Sequence, residues 1–325
     1  MKNCVLLGFD VGGTKLGIGL GTADGKILGQ VRMDNVNTHP DEILPRVAAE
    51  AKRLVSEAGL EMKDVAAFGI SAPFPADAKK GIMLNPPNNP LWKNVPILDF
   101  LQNALGIKGC FENDANCGAL AEWFFGAGKG CSNFIYLTQS TGIGGGIIAS
   151  GRLVRGAGTL SAGEIGHTCL EINGRQCNCG LKGCYEAYCG GRALANRMRE
   201  ELADKPDSMI MQLAGGDPEK LDMIILEKAY RANDPYAVAL WDEMSLRNAQ
   251  AMGLLINTFN PEKLILGTLA WAIGDLYTDP IKKYLPQFCW KDLMNVCEIV
   301  PSALRRDIGS YAGIAAALNF VQEQQ

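Results

Sequence analysis

The sequence predicts an α/β protein of two domains, and three observations carry that prediction. Strand-like apolar runs alternate with segments of helical periodicity along the chain. A strand, Gly/Thr turn, strand pattern occurs twice, as FDVGGTKLGIG near the N-terminus and as YLTQSTGIGGG near the middle. The 325 residues are enough for one large or two medium domains with full hydrophobic cores. Two α/β domains, each opening with a hairpin of phosphate-binding size, would face each other across a cleft.

The elements follow in order. Val5–Phe9 and Leu16–Leu20 are apolar strands joined by the tight turn DVGGTK, and Lys26–Met33 continues as a third strand after the Asp24-Gly25 turn. Pro40–Ala58 has helical spacing at Ile43, Val47, Ala51, Leu54 and Val55, and Gly59 is a natural stop. Val65–Ile70 is a strand. Pro73, Pro75, Pro86, Pro87 and Pro90 mark an irregular stretch after it, and Asn116–Phe125 is a helix with Asp114 close to its N-terminal end. Phe134–Leu137 and Ile147–Ala149 flank the second Gly-rich turn. Residues 192–257 read as mostly helical, Lys263–Leu266 as a strand ended by Gly267-Thr268, and Gly309–Gln325 as a final amphipathic helix with an Ala-rich, closely packing face.

Composition narrows the function. Apolar residues make up 47% and charged residues 20%, as in an ordinary soluble globular protein, and the net charge of −4 offers no footprint for nucleic acid or a membrane surface. No apolar run reaches the roughly 18 residues that a spanning helix needs. The N-terminus MKNCVLLGFD runs straight into a strand with no signal-peptide pattern, so a cytoplasmic location is expected. Six of the 11 cysteines (Cys4, Cys110, Cys117, Cys131, Cys289, Cys297) sit among apolar neighbours and read as small core residues.

The other five fall in or just after GEIGHTCLEINGRQCNCGLKGCYEA, residues 163–187. His167, Cys177, Cys179 and Cys184 offer one imidazole and three thiolates, a set that zinc accepts in a closed tetrahedral site. Cys169 and Cys189 remain open as substitute ligands. A closed site cannot activate water, so the metal would be structural. It would staple a loop carrying Glu164, His167 and Glu186, and the second imidazole nitrogen could meet a substrate hydroxyl. Together these read as a metal-stapled polyol-binding loop.

Asp10-Val11-Gly12-Gly13-Thr14-Lys15 supplies exposed amides, a hydroxyl, a cation and a carboxylate suited to magnesium or its water shell. No G-x4-GK[ST] loop occurs, so the turn is not of the Walker type. Thr138–Gly146 is the second such turn. Between the two lies FENDANCGALAE. Phosphoryl transfer to an alcohol needs a carboxylate that orients the hydroxyl and takes its proton, and Asp114, flanked by Asn113 and Asn116, fits that role. The alternative for Asp114 is a plain helix cap.

DVGGTK, Pro87-Asn88 followed by Trp92, ENDAN, GEIGH and CNCGLKGCYE together closely resemble the ROK family of bacterial sugar kinases, in order and spacing over essentially the whole chain. The resemblance implies an α/β, actin/hexokinase-like (ribonuclease H-like) fold of two domains with a cleft between them. Residues 1–114 plus 310–325 would form the smaller domain, and 115–309 the larger one with the zinc loop. It implies a sugar held by Asn88, Asn113, Asp114, Glu164, His167 and Glu186, with Asp114 as base. Zinc would sit on His167, Cys177, Cys179 and Cys184. ATP with Mg²⁺ would sit on Asp10, Gly12, Gly13, Thr14, Lys15, Thr141, Gly142 and Gly267.

The expected activity is ATP-dependent phosphorylation of the 6-hydroxyl of glucose. Kinases for fructose, allose, mannose or N-acetylmannosamine are the nearest alternatives, and a catalytically silent sugar-binding protein is the alternative of another class. Arginine plays no obvious role in the cleft motifs, so Mg²⁺, Lys15 and backbone amides would neutralise the developing charge. The family's repressors carry an N-terminal helix-turn-helix, for which Asp10 leaves no room. The expected partners are sugar and ATP, with no nucleic acid or membrane, in a homodimer or homotetramer. Three positions depart from the family pattern. Ser140 and Thr268 add a Cβ where backbone normally approaches nucleotide, and Phe74 adds bulk near the sugar.

Overall fold

A computed structural model describes residues 4–86, 90–157 and 162–325. Asn88 and Pro87 lie outside the described residues. The chain divides into two compact units. The first comprises Met1–Ser132, Gly146–Gly163 and Ala303–Gln325, and the second Asn133–Gly145 and Glu164–Ser302.

The chain opens with β1 (Val5–Val11), β2 (Lys15–Thr22), β3 (Ile27–Asp34), α1 (Pro40–Glu57) and β4 (Val65–Ala72). A short hairpin, β5 (Ala76–Asp77) and β6 (Ile82–Met83), precedes α2 (Ile97–Leu105), β7 (Gly109–Asn113) and α3 (Asp114–Phe125). The first sheet has the order β3-β2-β1-β4-β7, antiparallel from β3 to β1 and parallel from β1 to β7. Strand β1 is buried on both faces, so it reads as the continuous apolar run VLLGF rather than as an alternation. Helix α1 turns Ile43, Leu44, Val47, Ala51, Leu54 and Val55 onto the sheet, and Gly59 takes the left-handed conformation (φ 73°) just past its end.

After β8 (Phe134–Gln139), β9 (Ile143–Ala149) and β10 (Arg152–Leu153) come α4 (Tyr185–Cys189), α5 (Gly191–Glu201), α6 (Met209–Leu213), α7 (Met223–Arg231) and α8 (Pro235–Phe259). They are followed by β11 (Lys263–Leu266), α9 (Thr268–Ile273), α10 (Asp275–Tyr284), α11 (Lys291–Met294), β12 (Glu298–Pro301) and α12 (Ile308–Glu323). The second sheet has the order β10-β9-β8-β11-β12, with β8, β11 and β12 parallel. The helices expected over 192–257 are α5 to α8. The long α8 starts at Pro235 behind an Asp234 cap and ends at Asn260 in the left-handed conformation.

Helix α12 packs on the first sheet with almost no side-chain spacer. A Cβ on Gly8 would sit 2.4 Å from the Ile314 nitrogen, one on Gly69 2.3 Å from the Gly313 oxygen, and one on Gly313 2.5 Å from the Phe9 nitrogen. Only glycine at these crossings lets the helix and sheet backbones touch.

The unit edges differ from the expected ones at 114 and 310. Helix α3 packs on α12, and a Cβ on Gly146 would lie 2.6 Å from the Ala115 oxygen. Those contacts group α3 and the second half of β9 with the first unit.

Candidate active site and metal centre

In the first unit, the DVGGTK turn is closed by backbone bonds. The Gly12 amide donates to the Lys15 oxygen (2.9 Å), while the Asn35 side chain and amide bind the Gly12 and Thr14 oxygens (3.0 and 2.9 Å). Asp10 stands at the end of β1, where Ser71 Oγ donates to its Oδ1 at 3.3 Å. A Cβ on Gly309, in the first turn of α12, would lie 2.9 Å from Asp10 Oδ2, so glycine there makes space for the carboxylate. Burial, and then the charge of Asp114, push the Asp10 carboxyl up to about 6, with Ser71 and Arg32 pulling the other way.

A cavity of about 320 Å³ opens beside Asp10 and is lined by Gly12, Thr14 and Lys15 together with Arg32, Arg306 and Ser310. Two arginines that belong to none of the sequence motifs, Arg32 and Arg306, line this cavity. They come from β3 and from the segment before α12, far from the motif in sequence, so no local spacing announces them. Gly13 is not among the residues lining this cavity.

Asp114 is the first residue of α3, one position later in the helix than a cap. The cap is Asn113, whose Oδ1 accepts from the Ala115 and Asn116 amides at 2.9 and 3.2 Å. The Asp114 side chain is open to solvent but stands in dense protein, and that partial desolvation raises its carboxyl above the usual range. A bond from the Ala115 amide to Oδ1 (2.8 Å) offsets part of the effect. Two raised carboxylates, Asp10 by burial and the charge of Asp114 and Asp114 by desolvation, are suited to receiving a proton and a divalent cation.

In the second unit, the Ser140-Thr141-Gly142 turn packs on the start of α4. Glu186 Oε2 accepts from the Ile143 amide at 2.8 Å, and a Cβ on Gly142 would lie 2.5 Å from the same oxygen. Glu186, expected as a sugar ligand, is thus also a brace for the expected nucleotide turn. Thr141 is exposed. The Ser140 oxygen accepts from the Gly191 amide (2.9 Å). Gly267 is the residue before α9, and a Cβ there would meet the Tyr136 hydroxyl at 2.8 Å, whereas Thr268 simply starts the helix. Phe74 is half-buried against the core of the first unit.

The GEIGH loop packs on the same turn, since a Cβ on Gly166 would fall 2.4 Å from the Ile143 oxygen. Its His167 turns Nδ1 toward Cys177 Sγ (3.8 Å) and Nε2 toward Glu164 Oε2 (3.8 Å). Cys179 Sγ and Cys184 Sγ are 3.7 Å apart, and the donor atoms of His167, Cys177, Cys179 and Cys184 all lie within 4.8 Å of one another. Zinc–sulfur bonds of about 2.3 Å in a tetrahedron set sulfurs about 3.8 Å apart, so the cluster fits that ion. Burial and then the neighbouring thiols push Cys184 up to about 12, which three close thiols without a cation would do. Cys169 and Cys189 do not join the cluster, and Cys189 Sγ donates instead to the Met244 oxygen (3.5 Å).

The ROK family profile matches residues 6–321. Glucokinase from Thermotoga maritima is 36% identical over 324 residues, covering 100% of this chain and 99% of that protein. The crystal structure of ROK hexokinase from Thermus thermophilus superimposes with a TM-score of 0.83 at 29% identity, covering 98% of this chain and 99% of that one. A ROK family glucokinase from Streptomyces griseus, in complex with glucose and AMPPNP, gives a TM-score of 0.75 at 30% identity, covering 96% and 98%. The fold is the α/β, actin/hexokinase-like one, and by profile, sequence and structure alike this chain belongs to the ROK family.

Proposed function

We propose that this protein is an ATP-dependent glucokinase that transfers the γ-phosphoryl group to the 6-hydroxyl of glucose. The observation that carries the reading is Asp114. It is a solvent-reachable carboxylate at the start of α3, held by an Asn113 cap, with its pKa raised toward the range of a working base. As the sugar oxygen attacks phosphorus, its proton passes to Asp114, the bond from phosphorus to the bridging oxygen breaks, and ADP leaves with that electron pair. Glucose and ATP come to this chain by likeness to the glucokinases above.

Asp10, Thr14 and Lys15 would hold phosphate and Mg²⁺ in the first unit. Thr141, Gly142 and Gly267 would serve the nucleotide in the second, and Asn88, Asn113, Glu164, His167 and Glu186 would bind the sugar hydroxyls. Mg²⁺ supplies charge neutralisation of the phosphates. Zinc on the His167–Cys177–Cys179–Cys184 cluster would be structural, fixing Glu164 and Glu186. The test is a coupled ADP-release assay over glucose, fructose, allose, mannose and N-acetylmannosamine. The reading expects glucose to give the highest kcat/KM, and release with none of the sugars, from folded protein with bound zinc, counts against a kinase altogether.

A further inference from the structure

Asp114 is presented by a turn that rests on a buried ion pair. Glu112, next to the last residue of β7, is 3% exposed. Its Oε1 accepts from the Asn113 amide (3.0 Å) and from Asn116 Nδ2 (2.9 Å), so it binds the chain on both sides of Asp114. Asn116 Oδ1 is buried with no hydrogen-bond partner, which leaves the bond to Glu112 to set how that amide lies. Glu112 Oε2 is taken by Arg155 Nε at 2.6 Å. Arg155 Nη1 then reaches Glu323 Oε1, in the last turn of α12, at 2.7 Å, and Asn319 Nδ2 donates to the same oxygen at 2.9 Å.

A buried carboxylate keeps this place only while a cation and donors compensate it. Without the guanidinium, Glu112 would turn toward water and release the Asn113 amide and Asn116. Those two groups form the first turn of α3, which sets where the Asp114 oxygens point. A displacement of about 1 Å at such a turn can cost on the order of a hundredfold in rate, because the attacking oxygen and its base must meet in register. The whole device lies within the first unit; Glu112 opens the ENDAN motif, while Arg155 and Glu323 lie outside every motif that predicts the site.

We propose that Glu112 and Arg155 are a positioning pair that aims Asp114 at the sugar hydroxyl, anchored to the C-terminal helix through Glu323. The proposal rests on the reading of Asp114 as the base, and the test is built to separate the two. kcat and KM for glucose and MgATP are measured for R155M, R155K, E323Q, D114N and R155M/D114N, each checked for melting temperature and metal content. R155M is expected to lose about ten- to a hundredfold in kcat with a smaller change in KM. R155K should recover part of the loss, and E323Q, which keeps the inner pair, should lose only about two- to threefold in kcat.

The deciding measurement is the double variant. If Arg155 acts through Asp114, its loss vanishes in the D114N background, because residues that act as a unit are not additive. A full R155M loss on top of D114N overturns the proposal, as does folded R155M with wild-type kcat. If R155M does not fold, E112M/R155M takes its place, removing both charges and both acceptor oxygens, and wild-type kcat in that protein also overturns the proposal. Wild-type turnover in D114N would instead fail the base assignment, whatever Arg155 does.

Discussion

Replacing Asp114 with Asn separates chemistry from scaffolding with little structural ambiguity. Asn keeps the shape, and its Oδ1 can still accept the Ala115 amide that now bonds at 2.8 Å. The helix cap is untouched because Asn113 supplies it. The loss of a negative charge in the first turn of α3 costs about 0.3–1 kcal/mol through the helix dipole. Against this stands the raised carboxyl of Asp114. An acid whose folded pKa lies above its ordinary value contributes stability below that ordinary value and loses it as pH rises through the folded value, so at neutral pH the charge is a cost that Asn removes. The two effects oppose each other, and the melting temperature should stay within about 4 °C of wild type.

Turnover should behave very differently. General-base assistance is worth roughly 10²–10⁴-fold, which is about 3–5 kcal/mol of barrier. The measurement is steady-state ADP release on glucose, with kcat and KM separated, on protein whose folding and zinc content match wild type. The loss should fall on kcat. Folded D114N with near-wild-type kcat would show that the base lies elsewhere, and a fall of ten degrees or more in melting temperature would show that the structural account of α3 is wrong.

Purified without chelator, the protein should carry one zinc per chain by elemental analysis. Cys184→Ser should lower both zinc content and melting temperature, whereas Cys169→Ser should leave the metal in place. With Asp10 at about 6, kcat/KM for MgATP should fall as pH drops through about 6, since that constant reports groups on the free enzyme and the protonated carboxyl no longer attracts the cation. By the same raised value, Asp10→Asn should be more stable than wild type at pH 8 and not at pH 4, as urea unfolding at the two pH values would reveal. Gly142→Ala places a Cβ 2.5 Å from Glu186 Oε2 and should raise KM for sugar and MgATP together, and kinetics in which neither KM moves would refute that link.

Much of this could be read from the sequence, for physical reasons that differ by element. The first hairpin and α1 carry turn chemistry or strong periodicity, whereas α12 is marked by its Ala-rich apolar run and is buried all round over 312–319; each forms close to where those signals put it. The His167–Cys177–Cys179–Cys184 cluster was equally legible because its four residues lie within 18 consecutive positions, so spacing alone brings them near. Asp114 and its cap were resolved only to within a residue, since Asn113 and Asp114 are both good caps and geometry decides between them. Elements α9 to α11 and β12 are short, and several of their faces are half-buried, so little periodicity marks them. Arg32, Arg306 and Arg155 were not legible. Their partners are set by strand order and by the return of α12, which no local pattern encodes.

The glycine crossings of α12 bear on how the protein is made. Gly313 lies against Gly8 and Gly69, so the sheet that begins the chain is covered by its last helix. A ribosome releases residues 303–325 after every other segment of either unit, and until then β1 and β4 lack the backbone packed against them. Domains usually fold in the order in which they emerge. Here the first unit, although it starts at residue 1, waits for residues 303–325, while every residue of the second has been translated by position 302. The nascent chain therefore has the whole second unit available to fold while the sheet bearing Asp10 still lacks its covering helix.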